Sequence, residues 1–126
     1  MVAVALGDRA GEPFPAGDLH PVRKLPHLTC WPDDGGHYVT FPMVITEDPS
    51  RGIRNVGMYR VQVLGRDTLA MHWQRHKVGA AHWRRMAERG ETMPVAIALG
   101  GDPASIYAAS APLPPSIDEY LFAGFL

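Results

Sequence analysis

NVGMYRVQVLGRDTLAMHWQRHK, residues 55–77, decides how this chain is read. Asn55 to Leu64 alternates well enough for a β-strand, Gly65, Arg66 and Asp67 form a turn, and Thr68 to Trp73 forms the next strand. On a strand, Met58 and Arg60 share one face and Tyr59 takes the other. His72 and Gln74 likewise alternate with Trp73 and Arg75. An arginine flanked by Val56, Val61 and Val63 needs an anionic partner if it is buried. Otherwise it is an edge-strand arginine in water. His72 and His76 would share a face only on a helix, where they could pair as zinc ligands, but Met71 and Trp73 continue the strand pattern.

Upstream, HYVTFPMVITED (residues 37–48) reads as another strand, with Pro42 marking an edge or bulge. DPSRG (48–52) is turn chemistry, which makes a hairpin of the two strands. Downstream, Val78 to Arg89 carries an apolar stripe of Ala80, Ala81, Trp83, Met86 and Ala87 and is stopped by Gly90, as a helix should be. MPVAIALGG (93–101) reads as a short buried strand. Asp102 before Pro103 is a strong helix start. PLPP (112–115) breaks the chain, and Ser116 with Glu119 matches a capping box opening a last helix from Ile117. Residues 1–36, dotted with prolines and ending in two glycines, read as an extended lead-in segment, and residues 37–126 as the domain. Early hairpins with few crossovers make the class α+β, with a small, partly open barrel closed by a helix.

At 126 residues and 46% apolar content, the chain can bury one core. Twelve prolines and thirteen glycines favour short, turn-rich elements. A net charge of −1 argues against nucleic acid as a partner. Basic residues cluster between Arg51 and Arg89, as solvated surface or as a local anion site. Cys30 stands alone, which excludes an intrachain disulfide and a cysteine-based zinc site and suits a reducing cytoplasm. No window approaches the roughly 18 apolar residues of a membrane span. The opening MVAVALGDRA lacks a basic leader, so a cytoplasmic location is expected.

Asn55 oxygen, His72 nitrogen and Glu119 carboxylate would make a mixed donor set suited to manganese or magnesium. Spacing alone leaves open whether they meet, and Asn55 as a turn cap and Glu119 as a capping-box carboxylate are the plainer roles. Arg75, Lys77 and the amides of the following helix N-terminus would together cradle a phosphate.

Beyond these local signals, the chain resembles the UbiD-type decarboxylases from about Trp31 to Leu126. The resemblance is carried in order by WPDDGG (31–36), ITEDP (45–49), NVGMYR (55–60), MHWQRHK (71–77), ALGGDPA (98–104), APLP (111–114) and DEYLFAGFL (118–126). It implies an FMN-binding split β-barrel with short peripheral helices. It also implies action on aromatic or unsaturated carboxylic acids through prenylated FMN. By that resemblance Asn55, Glu119 and, as in some members, His72 bind the divalent metal. Met58, Tyr59, Arg60, His72, Trp73, Gln74 and Lys77 contact the flavin. Many relatives have glycine where this chain has Val78. A monovalent cation, potassium, would lie near Val56, Ala108, Ala109 and Ala111.

Arg60 is the catalytic candidate, as the arginine of an Arg–Glu–Asp/Glu acid–base network. The network's two carboxylates lie, in family members, beyond the segment matched by Phe122 to Leu126. The expectation is therefore a central cofactor-binding domain or fragment, inactive alone, forming a homo-oligomer or needing a partner chain that supplies the remainder. Two other readings stand beside it: a non-catalytic flavin- or metal-binding subunit that needs a partner chain, and an ordinary FMN split-barrel oxidoreductase, for which there is no nicotinamide-binding motif.

Overall fold

The computed structural model describes residues 2–5, 27–65, 68–114 and 117–126. They form seven strands and three helices in two small antiparallel sheets. The strands are β1 (Val2–Ala5), β2 (Tyr38–Val39), β3 (Met43–Glu47), β4 (Arg54–Met58), β5 (Val61–Val63), β6 (Thr68–Met71) and β7 (Ala96–Ala98). The helices are α1 (Val78–Glu88), α2 (Pro103–Ser110) and α3 (Glu119–Phe125). The class is α+β, as the hairpin-rich sequence implies.

The chain divides into two compact units, which exchange after Thr40, after Tyr59 and after His72. The first holds the four-stranded sheet in the order β1-β6-β5-β2. Leu69, Ala70 and Met71 are all buried in β6, which lies between β1 and β5. The lead-in expected over residues 1–36 falls largely outside the described residues; near its start, β1 pairs with β6 from Val2–Met71 to Ala5–Thr68.

The second unit holds the order β4-β3-β7 with all three helices. Met43, Val56 and Ala109 form its apolar cluster, joined by Ile45, Ala98 and Ile106. α1 packs on β3, and α2 packs on β4 and α3. Gly90 ends α1 with a φ of 68°, a left-handed conformation that glycine adopts without steric cost.

Three local expectations are corrected. The runs 37–48 and 55–64 are each two strands, not one. Pro42 separates β2 from β3, and Tyr59 with Arg60 separates β4 from β5, so each run contributes to both sheets. β7 is not buried: among the described residues it pairs with β3 alone, and Ala96 is exposed. The last helix begins at Glu119, capped by Asp118, whose carboxylate accepts the Tyr120 N–H at 2.8 Å. Ser116, the expected cap, lies outside the described residues. Asp102 does cap α2, accepting the Ala104 N–H at 2.9 Å.

Candidate functional site

Among the described residues β4 is an edge strand, so its outer backbone groups take partners other than a neighbouring strand. Glu119 supplies one, its Oε2 accepting the Val56 N–H at 2.9 Å. Arg54, one residue before Asn55, donates to Asp118 at 2.7 Å and stacks its guanidinium 4.7 Å from the Tyr120 ring centre. Burial raises the Asp118 carboxyl, but the Arg54 guanidinium and the Tyr120 N–H outweigh it and hold the carboxyl below its ordinary range. These contacts fasten the start of α3 to β4.

Asn55 is 5% exposed, and its Nδ2 is buried without a hydrogen-bond partner. A buried amide end left unpaired is costly, and the two ends of a carboxamide exchange by a half-turn. The side chain can therefore present its oxygen where a cation would satisfy it. The structure thus brings Asn55 and Glu119 to the same strand edge, and their donor types fit a hard divalent ion. Among the described residues, no group of three or more His, Cys, Asp or Glu side chains gathers as a metal site. His72 is exposed at the end of β6 and belongs to the other unit, its N–H donating to the Arg60 carbonyl at 3.1 Å.

The flavin-contact candidates divide between the units in the same way. Met58, Tyr59, Trp73, Gln74 and Lys77 lie in the second. Tyr59 is buried, its ring meeting Trp73 edge-on with centres 6.2 Å apart. Its hydroxyl accepts the Gly79 N–H at 3.3 Å, anchoring the first turn of α1. Gly57 makes room for this ring, because a Cβ there would lie 2.4 Å from Tyr59 Cε2. Trp73 Nε1 is buried without a partner. Lys77 is the N-cap of α1 and makes no side-chain cap, so the positive end of the helix macrodipole carries a cationic side chain and no carboxylate. Gln74 and Lys77 are exposed.

Arg60 lies in the first unit, and of the two readings its sequence setting left open the structure shows the paired one, with Asp34 as the anionic partner. Nη1 donates to Oδ1 at 3.2 Å and Nη2 to Oδ2 at 2.7 Å. The guanidinium carbon sits 3.7 Å from the Tyr38 ring centre. The bond to Arg60 lowers the Asp34 carboxyl from its ordinary range, and the bond to Asp34 raises Arg60.

Sequence reasoning missed four residues that hold the candidates: Asp34 and Tyr38 on Arg60, and Arg54 and Asp118 beside Asn55 and Glu119. The acidic pair in WPDDGG was the available signal for Asp34.

A family model described as UbiD 3-octaprenyl-4-hydroxybenzoate carboxy-lyase Rift-related domain matches residues 13–126. The chain belongs to this UbiD family. Among curated relatives, an uncharacterized protein of Aquifex aeolicus is 57% identical over 110 residues, covering 87% of this chain and 22% of the relative. One from Archaeoglobus fulgidus is 57% identical over 104 residues, covering 82% and 22%.

Solved UbiD-class structures agree. An evolved dimeric form of HmfF from Pelotomaculum thermopropionicum, in complex with prFMN, superposes with a TM-score of 0.78 at 29% identity, covering 86% of this chain and 25% of that one. The vanillic acid decarboxylase of Sedimentibacter hydroxybenzoicus in its closed form gives 0.77 at 26% identity, covering 98% and 24%. The chain therefore spans about a quarter or less of the length of these relatives and solved structures. None of its described helices is long and apolar enough to cross a membrane.

Proposed function

We propose that this chain is the central cofactor-binding domain, or a fragment, of a UbiD-type decarboxylase that acts on aromatic or unsaturated carboxylic acids. The observation that carries the proposal is the edge of β4, where the unpaired amide of buried Asn55 lies next to the residue whose N–H Glu119 accepts. On this reading Asn55 and Glu119 hold manganese or magnesium, and His72 joins them. The fold is then an FMN-binding split β-barrel with short peripheral helices.

Prenylated FMN, when bound, supplies an electron sink for loss of carbon dioxide. The chain's own groups bind and orient. Lys77 and the start of α1 receive the phosphate, because helix amides and a lysine favour an anion there. Met58, Tyr59, Trp73, Gln74 and His72 line the flavin. Val56, Ala108, Ala109 and Ala111 lie near a potassium ion. Arg60 receives an anionic group of cofactor or substrate. It stays protonated, so it moves no proton itself. The proton transfer requires a carboxyl group that the proposal places outside residues 1–126, in a further region or a partner chain. A cytoplasmic location, a lead-in over residues 1–36 and a domain over 37–126 are part of the same proposal.

The test is to combine the purified 126-residue chain with prenylated FMN and manganese and to assay carbon dioxide release from cinnamic and hydroxybenzoic acids. The expected result is weak flavin binding without sustained turnover, since losing a general acid typically costs on the order of 10²–10⁴-fold in rate. Sustained turnover would show that the domain is a complete catalyst.

A further inference from the structure

Arg60 stands at the point where β4 gives way to β5, and the structure holds its guanidinium on two sides. Asp34 takes both terminal nitrogens, a bidentate geometry that fixes the plane of the group as well as its place. Tyr38, on β2, covers one face of it. The carboxylate is itself anchored: Asp34 Oδ2 accepts the N–H groups of Cys30 at 3.2 Å and Trp31 at 3.1 Å, closing the turn that begins WPDDGG. Its side chain is 12% exposed, against 32% for Arg60. Asp34 is thus the more rigid partner, and Arg60 the one that reaches outward.

We propose that Asp34 is the positioning residue of Arg60, holding one edge of the guanidinium so that an anionic ligand meets Arg60 in a single orientation. The proposal rests on the reading of Arg60 as a ligand-binding arginine. A free arginine side chain would lose rotamer freedom on binding; one already clamped to Asp34 has lost it on folding. The same pairing balances the cation before the ligand arrives.

Asp34→Asn is a sharp probe because of how the two carboxylate oxygens are used. An asparagine oxygen in the Oδ2 position still accepts Cys30 and Trp31 and keeps the turn. Its amide nitrogen then faces Arg60 Nη1, donor against donor, so the two-point clamp is reduced to the single Nη2 bond and loses its charge.

The experiment is NMR of the arginine side chains in the full 126-residue chain, each sample titrated with FMN. The variants are Asp34→Asn, Asp34→Glu and Arg60→Gln, the last assigning the Arg60 Nε–H signal. The wild type is expected to show an ordered Arg60 signal that moves as FMN is added. Asp34→Asn should lose that order while the backbone amides of β5 and β6 stay in place, and should bind FMN about 2- to 10-fold more weakly, the cost of ordering one long side chain. Asp34→Glu, which keeps the charge, should recover part of both. An Arg60 signal as ordered in Asp34→Asn as in wild type overturns the inference. So does FMN binding that Arg60→Gln weakens and Asp34→Asn does not. FMN binding unchanged by Arg60→Gln overturns instead the reading of Arg60 on which the inference rests.

Discussion

Glu119 on α3 accepts the backbone N–H of Val56 on β4 at 2.9 Å, so one carboxylate closes the strand at the residue that follows Asn55, whose side-chain amide is buried and unpaired. Closing the strand and holding a cation separate by mutation. Glu119→Gln keeps an oxygen for Val56 and loses the charge that a divalent cation needs. Glu119→Ala leaves the buried Val56 N–H without its acceptor, at about 1–3 kcal/mol. Hydrogen exchange at Val56 should therefore stay slow in Glu119→Gln and quicken in Glu119→Ala. Manganese binding should fall in both. Equal manganese binding by wild type and Glu119→Gln would remove Glu119 from the metal site.

Gly57 is required by the Tyr59 ring. A methyl group there would lie 2.4 Å from Cε2 and 2.8 Å from both Cζ and the hydroxyl, and the ring is buried, so the ring or the strand must move. Gly57→Ala is expected to destabilise the chain by about 1–3 kcal/mol, the usual cost of overpacking. Chemical denaturation measures the loss. The Gly79 amide shift should change with it, because Tyr59 would no longer sit where it accepts that N–H.

Stability should fall as the pH drops below about 6.5. His82 on α1 is 3% exposed, with Nδ1 3.0 Å from the Thr46 hydroxyl of β3. Burial lowers its pKa, although Asp48 opposes this; Arg85 adds to the lowering. A depressed pKa means that the unfolded chain binds the proton more readily than the folded one. The full contribution is present above the unfolded value near 6.5. It declines as the pH falls from there through the folded value. Asp48, held low by the Ser50 hydroxyl and N–H and by Arg85, adds a loss of the same sign below its ordinary value of 3.8. Denaturation midpoints measured from pH 7.5 to 5 should decline in wild type and flatten in His82→Gln. An equal decline in both would assign the effect to other groups.

The C-terminal helix should drive association. α3 buries none of its residues, and Leu121, Phe125 and Leu126 are 71%, 85% and 59% exposed. A contiguous apolar face of this kind favours a partner surface over water. Light scattering across a range of concentrations should show self-association of the isolated chain, reduced by Leu121→Lys with Phe125→Lys. A monomer throughout would refute it.

Local chemistry carried the sequence reading furthest where it did not depend on distant partners. The α1 helix ending at Gly90 and the Asp102–Pro103 start of α2 both formed as their residues imply, although α1 buries His82 with Ala80 and Met86 and leaves Trp83 and Ala87 of the expected stripe exposed. Alternation misled at Pro42 and at Tyr59–Arg60, because a period of two says nothing about which sheet a strand joins. The proline had marked an edge or bulge within one strand, but only pairing shows that the chain changes sheets there. The sequence left Arg60 either solvated or paired with an anion; Asp34, 26 residues earlier, is a nonlocal partner that spacing could not name. The last helix starts one residue past Asp118, whose carboxylate caps it, and Glu119 is spent on the distant Val56 N–H, a partner 63 residues away that local spacing does not reveal.

The central claim, that one domain holds both flavin and metal, is tested most directly by titrating FMN into the chain with and without manganese. Two ligands of one site alter each other's affinity by a shared factor, typically about 5- to 150-fold. Manganese should tighten FMN binding by at least about 5-fold in the wild type, and Asn55→Ala should abolish that gain while binding FMN as the metal-free wild type does. FMN affinity that is the same with and without manganese in the wild type would contradict the account.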